Sequence, residues 1–181
     1  MKESKSAEGI VENANLFKGV VKMSYSGKYR GVVTDNQDPS QSGRIKAKVP
    51  SVLGAGESGW AVPCVPYAGK GVGFLFIPPV GANVWIEFEE GDPQRPIWSG
   101  GFWGPGEAPK TPAAGDVKLI KTDFATITIK DSSGSSGIAI ETNTGLRIIM
   151  DASGIELVNG ASSVKLTPAD VSINKGALQV I

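Results

Sequence analysis

Residues 137–166 read GIAIETNTGLRIIMDASGIELVNGASSVKL. Apolar side chains stand two apart and are cut off, every few residues, by Gly, Ser, Asn or Asp. That is the period of a β-strand with one dry face and one wet face, interrupted by turn residues. The pattern extends in both directions. Its apolar pairs are Ile127/Ile129, Ile138/Ile140, Leu146/Ile148, Ile155/Leu157, Val164/Leu166, Val171/Ile173 and Leu178/Val180, with Ile181 at the end. Val117 and Leu119 are read as its start. Lys130, Glu141, Arg147, Glu156, Lys165 and Asn174 fall between the apolar positions and predict a polar opposite face.

Each repeat holds one short strand and one turn. A meander with a single dry face needs a cover, and no stretch of the chain has the length and period of a covering helix. Closed coils of a single-chain solenoid usually need about 20 or more residues each, and these repeats are far shorter. Three copies around one axis, their dry faces inward, are favoured over a single-chain solenoid. The predicted fold class is therefore all-β, ending in an intertwined trimeric (triple-stranded) β-helix or prism. Its expected trimer core is Ile138, Ile140, Leu146, Ile148, Ile155, Leu157, Val164, Leu166, Val171 and Ile173; Leu178, Val180 and Ile181 form its tip.

Upstream the texture changes. Residues 1–27 open polar and turn apolar at Leu16-Phe17-Lys18-Gly19-Val20-Val21-Lys22-Met23, which predicts an arm with one short packing element. Residues 28–104 carry longer β-branched and aromatic runs. Strands are expected over 29–35, 44–50, 59–66 (an edge strand, because its prolines lack donors), 72–79, 81–89 and 96–104. Val84, Ile86 and Phe88 should share one face, and Trp85 and Trp98 are read as core. Five or six strands in under 80 residues suggest a small closed barrel. Residues 105–116 are a Pro/Gly-rich linker, and 117–181 form the ladder.

Composition excludes much chemistry. The 181 residues contain no histidine, which removes Ser-His-Asp sets, histidine zinc sites and histidine acid–base pairs. The one cysteine, Cys64, lies in the apolar run Ala61-Val62-Pro63-Cys64-Val65 and reads as a buried structural thiol. Gly54-Ala55-Gly56-Glu57-Ser58-Gly59 fits a dinucleotide fingerprint in letters, but a Trp/Val/Pro strand follows it instead of a helix. Asp35-Asn36-Gln37-Asp38 reads as a capped turn, since it lacks the glycine and terminal glutamate of a calcium loop. Glu87, Glu89, Glu90 and Asp92 read as solvated charges on a strand and turn. No cofactor, metal or enzymatic activity is expected.

Charge is balanced overall, 18 basic against 18 acidic side chains. A nucleic-acid binder normally carries a basic surplus, so no nucleic-acid partner is expected. The start of the chain lacks the apolar core of a secretory signal, and no run approaches the roughly 18 apolar residues of a membrane span. Assembly in the cytoplasm is expected.

The central segment resembles a known family. The residues that carry the likeness are Tyr29-Arg30-Gly31-Val32-Val33-Thr34-Asp35-Asn36 with Asp38-Pro39, and Gly43-Arg44-Ile45-Lys46-Ala47-Lys48-Val49-Pro50. Trp60-Ala61-Val62-Pro63, Pro66-Tyr67-Ala68-Gly69 and Gly73-Phe74 follow. Ile77-Pro78-Pro79-Val80-Gly81, Val84-Trp85-Ile86-Glu87-Phe88, Glu90-Gly91-Asp92-Pro93 and Arg95-Pro96-Ile97-Trp98-Ser99-Gly100 complete the set. In this order they are similar to the OB-fold domain of contractile-tail spikes: phage baseplate assembly protein V and the VgrG spike of type VI secretion.

The resemblance implies an OB-fold barrel followed by a β-helical needle. It implies a structural spike of a virion tail or extracellular injection particle, docked on a trimeric hub protein and driven through the target membrane. The linker is too short for the lysozyme domain some relatives carry, and a separate hub chain is implied. Without the histidine cluster that holds iron in some needle tips, the tip is expected to be metal-free and covered by a PAAR-like cone protein. Two other readings stay open at this point. An OB-type nucleic-acid binder would show a basic, aromatic-lined groove. A glycan-binding or glycan-cleaving tail fibre would need a carboxyl with a raised pKa on the ladder, such as Asp151 or Glu156.

Overall fold

The computed structural model describes residues 24–110, 115–134 and 136–180. The expected packing element at 16–23, part of the linker and the tip residue Ile181 lie outside the described residues. The chain divides into two compact units between Gly106 and Glu107.

The first unit contains β1 (Tyr29–Asp35), β2 (Lys46–Lys48), α1 (Pro50–Leu53), β3 (Val62–Pro63), β4 (Ala68–Gly69), β5 (Val72–Gly73), β6 (Asn83–Phe88) and β7 (Pro96–Gly101). The main sheet runs β2-β1-β6-β7-β3. All its pairs are antiparallel except β3 with β7. The sheet returns on itself. Ile45, just before β2, exchanges both backbone hydrogen bonds with Ala61, just before β3, at 3.2 and 2.7 Å. Ser58 reinforces the seam: its N–H donates to the Ala47 carbonyl at 2.8 Å, and its buried Oγ accepts from Ala47 N at 3.0 Å.

Alternation explains the core. Ile45, Ala47 and Val49 point inward with no exposure, while Lys46 and Lys48 point out. Val84, Ile86 and Phe88 do the same on β6, and Val33, Ala61 and Trp98 complete the cluster. The tryptophan Nε1 donates to the Gly43 carbonyl at 3.0 Å, so burial leaves its one polar atom satisfied.

Four expectations change here. The strand expected over 44–50 is only three residues long, because Pro50 both ends it and opens α1, the first-turn position that tolerates a missing N–H. Trp85 is on the outer face of β6, its ring 4.7 Å from that of Phe102 and 5.7 Å from the Arg30 guanidinium. It falls between the inward Val84 and Ile86, in phase with Glu87, so the alternation places it outside despite its apolar bulk. Cys64 is exposed and not buried, because the inward phase of this edge belongs to Ala61 and, partly, Pro63 and Val65. The apolar run 72–79 is not a core strand. Only Val72–Gly73 pairs, with Ala68–Gly69, in a separate two-stranded hairpin. Gly73 fits there at φ 151° because a Cβ would meet the Tyr67 carbonyl oxygen at 2.8 Å.

The second unit is a single antiparallel meander of eight strands in the order β15 to β8. They are β8 (Val117–Lys121), β9 (Ala125–Lys130), β10 (Gly137–Thr142), β11 (Arg147–Asp151), β12 (Gly154–Asn159), β13 (Ser162–Leu166), β14 (Val171–Ile173) and β15 (Leu178–Val180). Every strand pairs with its sequence neighbour. Turn glycines permit the tight returns. At Gly154, φ is 133° and a Cβ would lie 1.9 Å from the Leu166 carbonyl oxygen, so no other residue fits. The described chain is all-β, as its sequence predicts, apart from α1 and two single turns of 3₁₀ helix.

Candidate trimerisation face

Register turns the ladder's apolar pairs into two continuous columns. One runs Ile120, Ile127, Ile140, Ile148, Leu157, Val164, Ile173 and Leu178, each residue directly opposite the next. The other runs Ile129, Ile138, Met150, Ile155, Leu166, Val171 and Val180 in the same way. A one-residue slip in any strand would turn that strand's apolar pair to the other face. At about 4.8 Å per strand, the eight strands make a stripe roughly 33 Å long, two apolar side chains wide from β9 onward.

This face is open in the single chain. Ile138, Ile140, Ile148, Ile155, Leu157 and Leu166 are 37 to 44% exposed, whereas Gly154, Glu156 and Val158 on the opposite face of β12 are better covered. Ladder neighbours shield each side chain only laterally. Fully burying an Ile, Leu or Val contributes roughly 1.5–3 kcal/mol, so covering the open half contributes about 1 kcal/mol per residue. Repeated along the stripe, that is a large driving force for association.

The structure brings the predicted core residues onto this one face, with two adjustments. Leu146 precedes β11, and the in-register companion of Ile148 is Met150, which sits opposite Ile138 and Ile155. Met150 escapes a reading built on β-branched and leucine pairs, although its spacing of two from Ile148 is visible in the sequence. At the start of the ladder, Val117 and Leu119 face the other side, opposite Lys130 and Thr128; Ile120 carries the stripe. Lys118 therefore stands on the dry face opposite Ile129 and forms an ion pair with Asp131. The first strand thus puts a charged pair where every later strand has a hydrocarbon. At the far end Leu178 and Val180 close the columns at 56 and 58% exposure.

The opposite face is mixed: Ala139, Ile149 and Val158 stand among charged cross-strand pairs. Glu141 lies opposite Arg147, and Glu156 opposite Lys165. Asn174 is not on this face as a strand residue. It sits in the Asn174–Gly176 turn at φ 50°, and its Oδ1 accepts from Ser163 N at 3.0 Å. Asp151 accepts from Ser153 N at 2.7 Å, and hydrogen bonding from Ser153 holds its pKa below the ordinary carboxylate value. A glycosidase acid needs the reverse shift.

On the barrel, the expected capped turn is a tightly liganded carboxylate. Asp38 accepts from Ser40 N at 2.9 Å, Ser42 N at 2.8 Å and the Arg44 guanidinium at 2.6 Å. The arginine first, with the backbone donors adding to it, pushes its pKa well below the carboxylate range against an opposing effect of burial. Among the acidic cluster, Glu87 is held down in pKa by Lys28, then by Ser99, whose hydroxyl donates to it at 2.9 Å. Arg95 reaches Glu89 at 2.6 Å and Glu90 at 3.0 Å. These contacts make the cluster a set of surface ion pairs. No group of three potential metal ligands occurs among the described residues.

The Asp38 arrangement predicts a pH effect. A folded pKa below the ordinary 3.8 means stability that is present above that pH and lost as pH falls below it. Asp38→Asn should therefore destabilise the barrel at neutral pH. The gap to the native chain should shrink below about pH 4. Urea unfolding followed by tryptophan fluorescence at pH 7, 4 and 3 reads this directly.

Two family models match the chain. Residues 29–103 match the type VI secretion system/phage-baseplate injector OB domain. Residues 117–179 match the phage baseplate V C-terminal trimerisation domain. The chain belongs to the phage baseplate V and type VI secretion spike family. The trimerisation match falls on the strands that carry the open stripe, and it supports a homotrimer. Membership gives this baseplate V-type chain a structural role in a baseplate or injection particle. No curated protein matches it. Among the described residues no helix is long and apolar enough to cross a membrane.

Proposed function

We propose that the chain is the central spike of a contractile injection apparatus. In this reading residues 28–104 form a barrel that docks on a trimeric hub, and residues 117–181 form the needle that passes through the target envelope. The expected trimer core and the tip that receives a PAAR-like cap belong to the same proposal. The observation that carries it is the apolar stripe, open in one chain and two columns wide over seven of the eight strands. Three such faces turned to one axis give a rod with a mixed-charge exterior.

Such a rod works by resisting deformation, without bond chemistry. One chain cannot leave without breaking contacts to two others. The assembly should therefore unfold slowly, and its interchain packing should make it fold slowly. The other readings have less support. The outer tryptophan Trp85 is covered by Arg30 and Phe102, which leaves no bare stacking platform there. Asp151 is pushed toward the wrong protonation state for a glycosidase acid.

The test is a particle assembled with a chain lacking residues 117–181. Envelope penetration should fall to background while tail assembly upstream of the spike persists. Full infectivity or killing by truncated particles would rule out the needle role.

A further inference from the structure

The first strand of the ladder departs from all the others. On β8 the stripe's second column holds Lys118, opposite Ile129, where each later strand holds a hydrocarbon. Its ion-pair partner Asp131 follows Ile129 by two residues and so lies on the same face. Asp116 precedes Lys118 by two and stands opposite Asp131, whose N–H donates to the Asp116 carbonyl at 2.9 Å. This end of the dry face therefore carries one ammonium and two carboxylates, and past Asp131 neither column holds a charge. In one chain the Lys118 and Asp131 side chains are each 57% exposed, and so open a pair contributes little to the stability of a single meander. Its place on the face that three copies turn inward calls for another account.

The hydrocarbon part of the stripe is nearly uniform along its length. Neighbouring strands are antiparallel, so sliding one copy by two strands, about 9.6 Å, restores both strand direction and column. Ile148 would then meet Val164 of the partner subunit, and Met150 would meet Leu166 of the partner subunit. Such a slip forfeits cover at the ends and exchanges hydrocarbon for hydrocarbon everywhere between. Interwound chains that close out of step are slow to reopen. The charged end has no such tolerance. Slid by two strands, Lys118 would be pressed against Ile138 of the partner subunit, an ion taken out of water beside hydrocarbon. In step, the three copies bring to one level twice as many carboxylates as lysines, enough for each ammonium to be held on two sides.

We infer that Asp116, Lys118 and Asp131 form an interchain charged layer that fixes the axial alignment of three copies of this chain. This rests on the trimer reading above. Fixing register is the best-attested role of a polar or charged group in an otherwise apolar seam. Lys118 keeps Asp131 of its own chain and takes a second carboxylate from the partner subunit. The layer discriminates aligned from slipped assemblies, while the hydrocarbon columns supply the affinity.

The test uses the full chain with Cys64 replaced by serine, so that new cysteines alone report alignment. Ile148→Cys chains should oxidise to disulfide-linked dimers, up to about two thirds of the chains, since only two of three symmetric sites can share one bond. Co-expressed Ile148→Cys and Val164→Cys chains should give no mixed dimer by mass. Their levels lie about 9.6 Å apart, and a disulfide needs Cα atoms within about 7 Å. Light scattering on the same samples fixes the oligomer. With Asp116→Ser, Lys118→Leu and Asp131→Leu combined, the trimer should persist and the mixed dimer should appear. Inverting the pair instead, Lys118→Asp with Asp131→Lys, should keep the mixed dimer absent. An uncharged trimer that links only like positions overturns the alignment role and leaves the stripe untouched. Mixed linking in the charged chain, or an uncharged variant that is monomeric, also overturns it. A charged chain that is monomeric overturns the trimer reading and this inference together.

Discussion

Replacing Ile148 with aspartate is expected to leave the chain monomeric. Ile148 lies mid-ladder, opposite Ile140 on one side and Leu157 on the other. In one chain it is 39% exposed, so a carboxylate there keeps access to water and the meander can still form. In the trimer, three carboxylates would approach one dry axis. Each ionised group taken out of water costs several kcal/mol, and their mutual repulsion adds to that. The sum exceeds what the neighbouring hydrocarbon contacts can offset at about 1 kcal/mol each. Light scattering should show one chain mass, and an intact trimer would count against the packed stripe. The neighbouring Arg147, on the other face, supplies the control: Arg147→Asp should leave the trimer intact, because its side chain does not share the stripe.

Trp98→Ala should have the largest effect on the barrel. The ring is 5% exposed at the centre of the core, and its Nε1 is the donor to the Gly43 carbonyl. Truncation removes the largest core side chain and orphans that oxygen, a loss of about 3–5 kcal/mol. A small domain has about 5–15 kcal/mol in all, so much of the barrel's margin goes. The ladder has no side chain in this core. Denaturation of the variant should show the barrel transition moved to lower urea while the trimer persists. A single shifted transition would show that the two units unfold together.

What the sequence disclosed and what it hid follow one rule. Period-two alternation is local, so it exposed the dry faces of β2, β6 and most of the ladder, where apolar residues are flanked by polar ones. In β6 the alternation of Val84, Ile86 and Phe88 already puts Trp85 on the other face with Glu87; its apolar bulk, not its phase, makes it read as core. Around Cys64, in Ala61-Val62-Pro63-Cys64-Val65, every residue is apolar and alternation leaves the phase open. The run 72–79 misled for a different reason. Its composition says core, but the sheet has no free place beside β6 or β7, which already pair with β1, with each other and with β3. Only the pairing order reveals that the run must stay outside. At the ladder's start, Val117 and Leu119 have the right spacing and the wrong register. The face they take is set by the pairing of Lys118 with Ile129, a contact between strands that spacing within one strand does not contain. The liganding of Asp38 by Arg44 was equally hidden, because a turn separates the two residues and only its path brings them together.

Association through the open stripe is the central claim, and the mass of the purified full-length chain in dilute solution tests it most directly. Native mass spectrometry or light scattering should give three times the 18.8 kDa of one chain, persisting on dilution. A well-ordered species of 18.8 kDa would contradict it.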